Sequence, residues 1–225
     1  MSRLRKFFFS LSAVAILAVV SATAHADPIT VVGVGSGNFS TASVDCVFDS
    51  ATNTFTFTIT NTSNLTQPGS TSTITGIGFD LPPLGNASNS GLNGFTGMQA
   101  PSMSSTFDFS DGNLGNVPAG FNNVVLDFGF TTGPSGNFNG GSPNDGLAPG
   151  ESASFIVSGA AFAGLTGDEI CNAIFVRFQN VPEAGGSGGS DVGVPSQVPE
   201  PSTMLLLGTA LVGLGGIVRR RRKRR

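Results

Sequence analysis

The sequence has no Trp, no Tyr and a single His among its 225 residues. That residue, His25, lies in the N-terminal leader, so from Asp27 onward the chain carries no imidazole. Imidazole is the commonest general base near neutral pH and the commonest metal ligand. Its absence excludes Ser-His-Asp and Cys-His catalysis and His-built zinc sites from the region after the leader. Positive charge is equally scarce there. Of 11 Lys plus Arg, Arg3, Arg5 and Lys6 open the chain, seven close it, and only Arg177 stands between. Of 14 acids only Glu200 lies in the closing segment, which leaves 13 acids against one base. The overall charge of −3 therefore averages very different segments. Phosphate binding needs clustered Lys and Arg, so nucleic acid is excluded as a partner. Carboxylate-pair hydrolysis of glycosides survives, because it needs only two acids. No particular pair stands out, so no catalytic residue, metal or cofactor is expected.

The two ends carry what the middle lacks. Phe7 to Val20 is an apolar run behind the three N-terminal cations, and Ala24-His25-Ala26 is a small-x-small site. This is the pattern of a secretory signal peptide over 1–26, cut by signal peptidase after Ala26. At the other end, Pro199-Glu200-Pro201 precedes an uncharged run, Thr203 to Val218. As a helix that run is about 24 Å long, short of the roughly 30 Å hydrocarbon core. The cations Arg219, Arg220, Arg221, Arg222, Lys223, Arg224 and Arg225 follow without a break. Such a block holds to the cytoplasmic side beside anionic lipid. The sequence thus predicts a transmembrane helix over 203–218 and a basic retention tail over 219–225. The prolines impose an extended strip just outside the membrane.

The tripeptide, short span and cationic tail closely resemble the PEP-CTERM sorting domain of Gram-negative bacterial surface proteins, over residues 198–225. The resemblance implies that Pro199, Glu200 and Pro201 are the recognition element for exosortase, a membrane-embedded transpeptidase-like enzyme. It also implies an inner-membrane precursor, later placed at the cell surface or outside it, and a link to exopolysaccharide and biofilm.

Between the ends the texture is β. Phe55, Phe57 and Ile59 alternate with Thr54, Thr56, Thr58 and Thr60, as in a half-buried strand. Ile77, Phe79 and Leu81 repeat the pattern, as do Phe107 with Phe109, and Ala153 with Phe155 and Val157. Val124, Leu126, Phe128 and Phe130 read as one inward stripe, and Ile174, Val176 and Phe178 as a last strand. Pro149-Gly150 suits the centre of a type II turn. Thr166-Gly-Asp-Glu169 reads as one capped helical turn or a loop. The expectation is an all-β ectodomain over 27–182, a β-sandwich or jelly roll around a phenylalanine core. Thr75-Gly-Ile-Gly-Phe-Asp80, Gly146-Leu-Ala-Pro-Gly-Glu-Ser152 and Phe175-Val-Arg-Phe-Gln179 resemble phrases of PEP-CTERM exteriors more loosely. Residues 183–197 are Gly/Ser-rich without apolar period and read as a flexible linker.

Cys46 and Cys171 are the only cysteines. In an exported chain they read as one disulfide, the alternative being two buried thiols. Gly33-Val-Gly-Ser-Gly37 reads as a turn, because no helix follows to make it a phosphate loop. Asp108-Phe-Ser-Asp111-Gly-Asn113 has calcium-loop oxygens without the spacing of an EF-hand. The Thr54–Thr60 row has the look of an ice-binding strand, but one strand is not an array. The leading expectation is a non-catalytic surface or matrix protein, exported, processed and placed in or on the extracellular polysaccharide layer, with that polysaccharide as an expected partner. The alternatives are a glycan-binding or ice-binding module and a carboxylate hydrolase.

Overall fold

A computed structural model describes residues 24–25, 28–64, 72–82, 84, 93–101, 105–112, 114, 124–133, 138, 141–183 and 186–196. In chain order the strands are β1 (Ala24–His25), β2 (Ile29–Gly33), β3 (Gly37–Asp49), β4 (Thr54–Asn61), β5 (Thr73–Phe79) and β6 (Thr96–Gln99). They continue with β7 (Asp108–Asp111), β8 (Phe128–Thr131) and β9 (Ser152–Ser158). A short helix α1 (Gly167–Asn172) precedes β10 (Ile174–Glu183) and β11 (Gly186–Pro195). The fold is all-β, as the alternation predicts.

Every pairing is antiparallel, and the strands form one sheet in the order β6-β9-β4-β3-β2-β11-β10-β5-β8-β7, with β1 extending β2's side of β3. In place of two separately hydrogen-bonded layers, this single sheet curls until its end strands meet. The seam between β6 and β7 is bridged by side chains. Gln99 Nε2 donates to the Ser105 carbonyl at 3.1 Å, and Phe107 N donates to Gln99 Oε1 at 2.7 Å. The Phe109 ring covers Gly97 so closely that a Cβ there would collide with it. Side chains thus cover the two end strands where no last ladder forms.

Strand faces follow the period of two. On β4, Phe55, Phe57 and Ile59 are buried, while the threonines between them stay half-buried. Their inward neighbours are Val44, Cys46 and Phe48 of β3 and Ala153, Phe155 and Val157 of β9. Phenylalanine rings fill the interior: Phe57 stacks on Phe155 at 5.0 Å, Phe79 on Phe128 at 4.7 Å, and Phe130 meets Phe155 at 4.5 Å. Truncating such a side chain costs about 3–5 kcal/mol. Phe57→Ala should therefore lower the urea midpoint far more than Thr58→Ala, whose hydroxyl contributes one hydrogen bond to Ser154 at 2.7 Å. Equal midpoints would mean that the faces of β4 are assigned wrongly.

Local signals set several joins. Thr166 caps α1 with a reciprocal box: its Oγ1 accepts from Glu169 N at 3.2 Å, and Glu169 Oε2 accepts from Thr166 N at 2.8 Å. Of the two readings of this segment, the helix is the one formed. Gly150 has φ of 89°, and Glu151 N donates to the Ala148 carbonyl at 3.0 Å, which makes Ala148–Glu151 the type II turn.

Two expectations are corrected. Val124 and Leu126 do not share the core stripe of Phe128 and Phe130. The chain bends at Asp127, whose N–H donates to the Phe79 carbonyl at 2.7 Å and whose carboxylate accepts from Leu81 N at 2.7 Å. The bend puts Leu126 on the outer side of the sheet, in a second cluster with Leu114, Phe138 and Val192, joined by Val124 and Phe175. Gly78 leaves room for Leu126, and Gly76 for Phe138. The Gly-x-Gly of Thr75–Asp80 is thus the floor of an outer apolar layer.

The second correction concerns 183–197. Gly186–Pro195 is no tether but strand β11, hydrogen-bonded to β10 on one side and β2 on the other. Ladder bonds come from backbone and need no periodic side chains. Small residues suit the place: a Cβ at Gly193 would lie 2.7 Å from Val31 Cγ1. The compact unit accordingly runs to Pro195, beyond the expected boundary at 182. Pro195 pairs with Val31, so the unit's last strand ends beside the beginning of β2.

Candidate functional site

Three regions of the folded unit bear on function. The first is the end of β11, where the unit meets the sorting segment. Asp191 fastens this strand to the β2–β3 turn. Its carboxylate accepts from Gly35 N at 3.0 Å and Ser36 N at 2.7 Å, and from the Ser36 hydroxyl. The Gly33–Gly37 phrase is therefore a hairpin turn, as its sequence suggests, and its N–H groups hold the chain's own carboxylate. Neighbouring Arg177, the one Lys or Arg between 27 and 197, is buried on β10. Burial pushes its pKa down and the charge of Asp191 draws it back up.

The second region is the disulfide. The structure joins Cys46 of β3 to Cys171 of α1, with Cα atoms 6.2 Å apart. Both residues are fully enclosed by the core. The bond crosses from a central strand to the helix that leads into β10.

The third is the outer face of β3, β4, β9 and β6. Register aligns Ser43 with Thr60 and Ser152, Asp45 with Thr58 and Ser154, and Asp49 with Thr54, Ser158 and Thr96. Between the last two rows runs a more apolar one: Val47, Thr56, Ile156, Met98. Thr60 and Ser152 lie 2.7 Å apart through their hydroxyls, and Thr54 and Ser158 3.1 Å. The threonines of β4 are one line of a multi-strand array, which the single-strand pattern could not disclose.

The remaining acids are mostly at work in local structure. Asp49 is held below the usual carboxylate range by the Thr52 hydroxyl and then by Ala51 N–H. Glu169 is held low by the Thr166 N–H and hydroxyl. Asp80 is pushed up by burial. Asp108 and Asp111 begin and end β7, an odd number of residues apart and so on opposite faces. The Asp111 carboxylate accepts from Asn93 N at 3.1 Å and Gly94 N at 2.9 Å. Among the described residues no group of three or more His, Cys, Asp or Glu is placed to hold a metal.

Of the sequence-predicted processing residues, Ala24 contributes backbone to β1, which pairs with Phe48 and Val47 of β3. Ala26, Pro199, Glu200, Pro201, the 203–218 span and Arg219 to Arg225 lie outside the described residues. Among the described residues no helix is long and apolar enough to cross a membrane.

Residues 197–223 match the family described as the PEP-CTERM protein-sorting motif. No curated protein and no solved structure matches the chain. The motif marks the chain as one exported and sorted to the cell surface, with an exosortase as its general kind of processing partner.

Proposed function

We propose that this is a non-catalytic surface or matrix protein, delivered through its C-terminal motif into or onto the extracellular polysaccharide layer. The observation that carries the reading is the PEP-CTERM match at 197–223, directly after a folded β unit that ends at Pro195. A signal peptide over 1–26 opens the export route. The span 203–218 and the tail Arg219–Arg225 hold the precursor in the inner membrane. Exosortase then recognises Pro199-Glu200-Pro201 and separates the acidic domain from its cationic tail. The domain itself is a single antiparallel sheet closed in a barrel-like way, and from Asp27 onward the chain offers no imidazole for acid-base work. Its buried carboxylates, Asp127 and Asp191, are already engaged by backbone N–H groups.

Glu200→Ala tests this reading, because it leaves span hydrophobicity and tail charge intact. In the native host the variant is expected to accumulate uncut in the inner membrane, while the wild type loses Arg219–Arg225 and moves outward. Fractionation with C-terminal mass mapping reads both. A wild type that keeps its tail, with no change on substitution, would make the segment a plain anchor.

A further inference from the structure

We propose that the outer face of β3, β4, β9 and β6 is a docking surface for an uncharged polysaccharide. The inference rests on the placement in a polysaccharide layer proposed above, and it names the face and the polymer class.

The face is built for a repeating, hydroxyl-bearing partner. Strands stand about 4.8 Å apart and same-face residues about 6.8 Å apart along each strand. The hydroxyls of Thr54, Thr58 and Thr60 are each held against a serine of β9. Each hydroxyl has one hydrogen to donate and two acceptor lone pairs. A cross-strand pair consumes one donor and one acceptor, so the Thr58–Ser154 and Thr60–Ser152 pairs each keep a hydrogen and lone pairs. Thr54 also donates to the Thr52 carbonyl at 3.4 Å, which leaves its pair with lone pairs alone. Sugar hydroxyls need both kinds of partner. Because the rotamers are already fixed, little entropy remains to be lost on contact.

A second observation falls on the same face. The exposed large hydrophobics of the described residues are Val34, Met98 and Ile156. Met98 and Ile156 are register partners, at 61% and 37% exposure, and Thr56 and Val47 continue their row. An exposed apolar strip among polar rows is a mark of an interaction surface. It matches the C–H faces of a sugar chain, whose hydroxyl edges would lie over the neighbouring rows.

Charge decides the class of polymer. The face carries Asp45 and Asp49, and no described Lys or Arg reaches the surface, since Arg177 is buried. These like charges would repel a polyanion, whereas an uncharged chain meets no such repulsion.

Retention of the full-length protein, purified in detergent, on insoluble cellulose, mannan and chitin tests the proposal, with polygalacturonate gel as the charged comparator. Wild type is expected to be retained on at least one uncharged polymer. Met98→Asp/Ile156→Asp and Thr58→Val/Thr60→Val should each reduce that retention at least tenfold. Asp168→Asn, on α1, should leave it unchanged. Far-UV circular dichroism confirms that each variant is folded. Two results overturn the proposal: no retention of folded wild type on any uncharged polymer, or retention that both double variants keep. Retention on polygalacturonate alone overturns it in favour of cation-bridged binding. Ice shaping by wild type, without polymer retention, overturns it in favour of an ice-facing array. Because these assays are done outside the host, their failure is distinct from failure of sorting, which only the Glu200→Ala fractionation reads.

Discussion

Deletion of Gly186–Pro195 from the full chain is expected to abolish cooperative unfolding. Strand β11 lies in the middle of the sheet, although its composition is that of a linker. Without it the strand path separates into β6-β9-β4-β3-β2 and β10-β5-β8-β7. Two internal strands, β2 and β10, would then expose unpaired N–H and C=O groups along a new edge. Asp191 would no longer pin the β2–β3 turn, and Val192 would be lost from the outer cluster. The combined loss is comparable to the whole stability of an ordinary domain, about 5–15 kcal/mol. Urea titration followed by far-UV circular dichroism should show a sigmoidal transition for wild type and a gradual slope for the deletion. A deletion that unfolds at the wild-type midpoint would restore the reading of this stretch as a tether.

Replacing both cysteines, Cys46→Ala with Cys171→Ala, should cost about 5 kcal/mol in the chain-entropy account of cross-links. The bridged residues are 125 apart in sequence, so the closed loop takes in most of the domain. The same loop ties β3, deep in one half of the strand path, to the helix that feeds β10 in the other. Because both sulfurs are buried, reductant is expected to act on folded protein slowly and on urea-unfolded protein at once. Intact mass after alkylation without reductant decides the premise. Two free thiols in protein recovered from beyond the inner membrane would show that no cross-link contributes.

These two cases also show what a one-dimensional reading can reach. β4 was legible because burial imposes alternation on neighbouring residues, and Phe55, Phe57 and Ile59 obey it. The turn at Pro149-Gly150 was legible because it is complete within four residues, whereas the equally local signal at Thr166 left helix and loop both open. β11 was hidden because a central strand can be held by backbone alone, leaving Gly and Ser where an apolar period was sought. Leu126 was misplaced because one bend at Asp127 turns Val124 and Leu126 to the other side of the sheet. Site legibility divides in the same way. The sorting motif is contiguous and reads directly. The hydroxyl rows join Thr58 to Ser154 and Thr60 to Ser152, partners more than 90 positions apart, and only register brings them together. The strand of threonines was visible, but its neighbours were not.

The seat of β11 between two partners also governs how the protein carries a mechanical load. In the proposed precursor, held by its C-terminal segment, any drag on the domain would be received at Pro195, the last residue of β11. Antiparallel ladder bonds run across the strands, perpendicular to their axes. Tension along β11 therefore shears its bonds to β2 and β10 together, so that they must yield as a group. Tension between the start of β2 and Pro195 is different, because those two points sit side by side at one end of a ladder. That pull peels the β2–β11 pairs one after another. Under the proposed anchorage from the C-terminal side, a pull on the domain would load it in its stronger geometry.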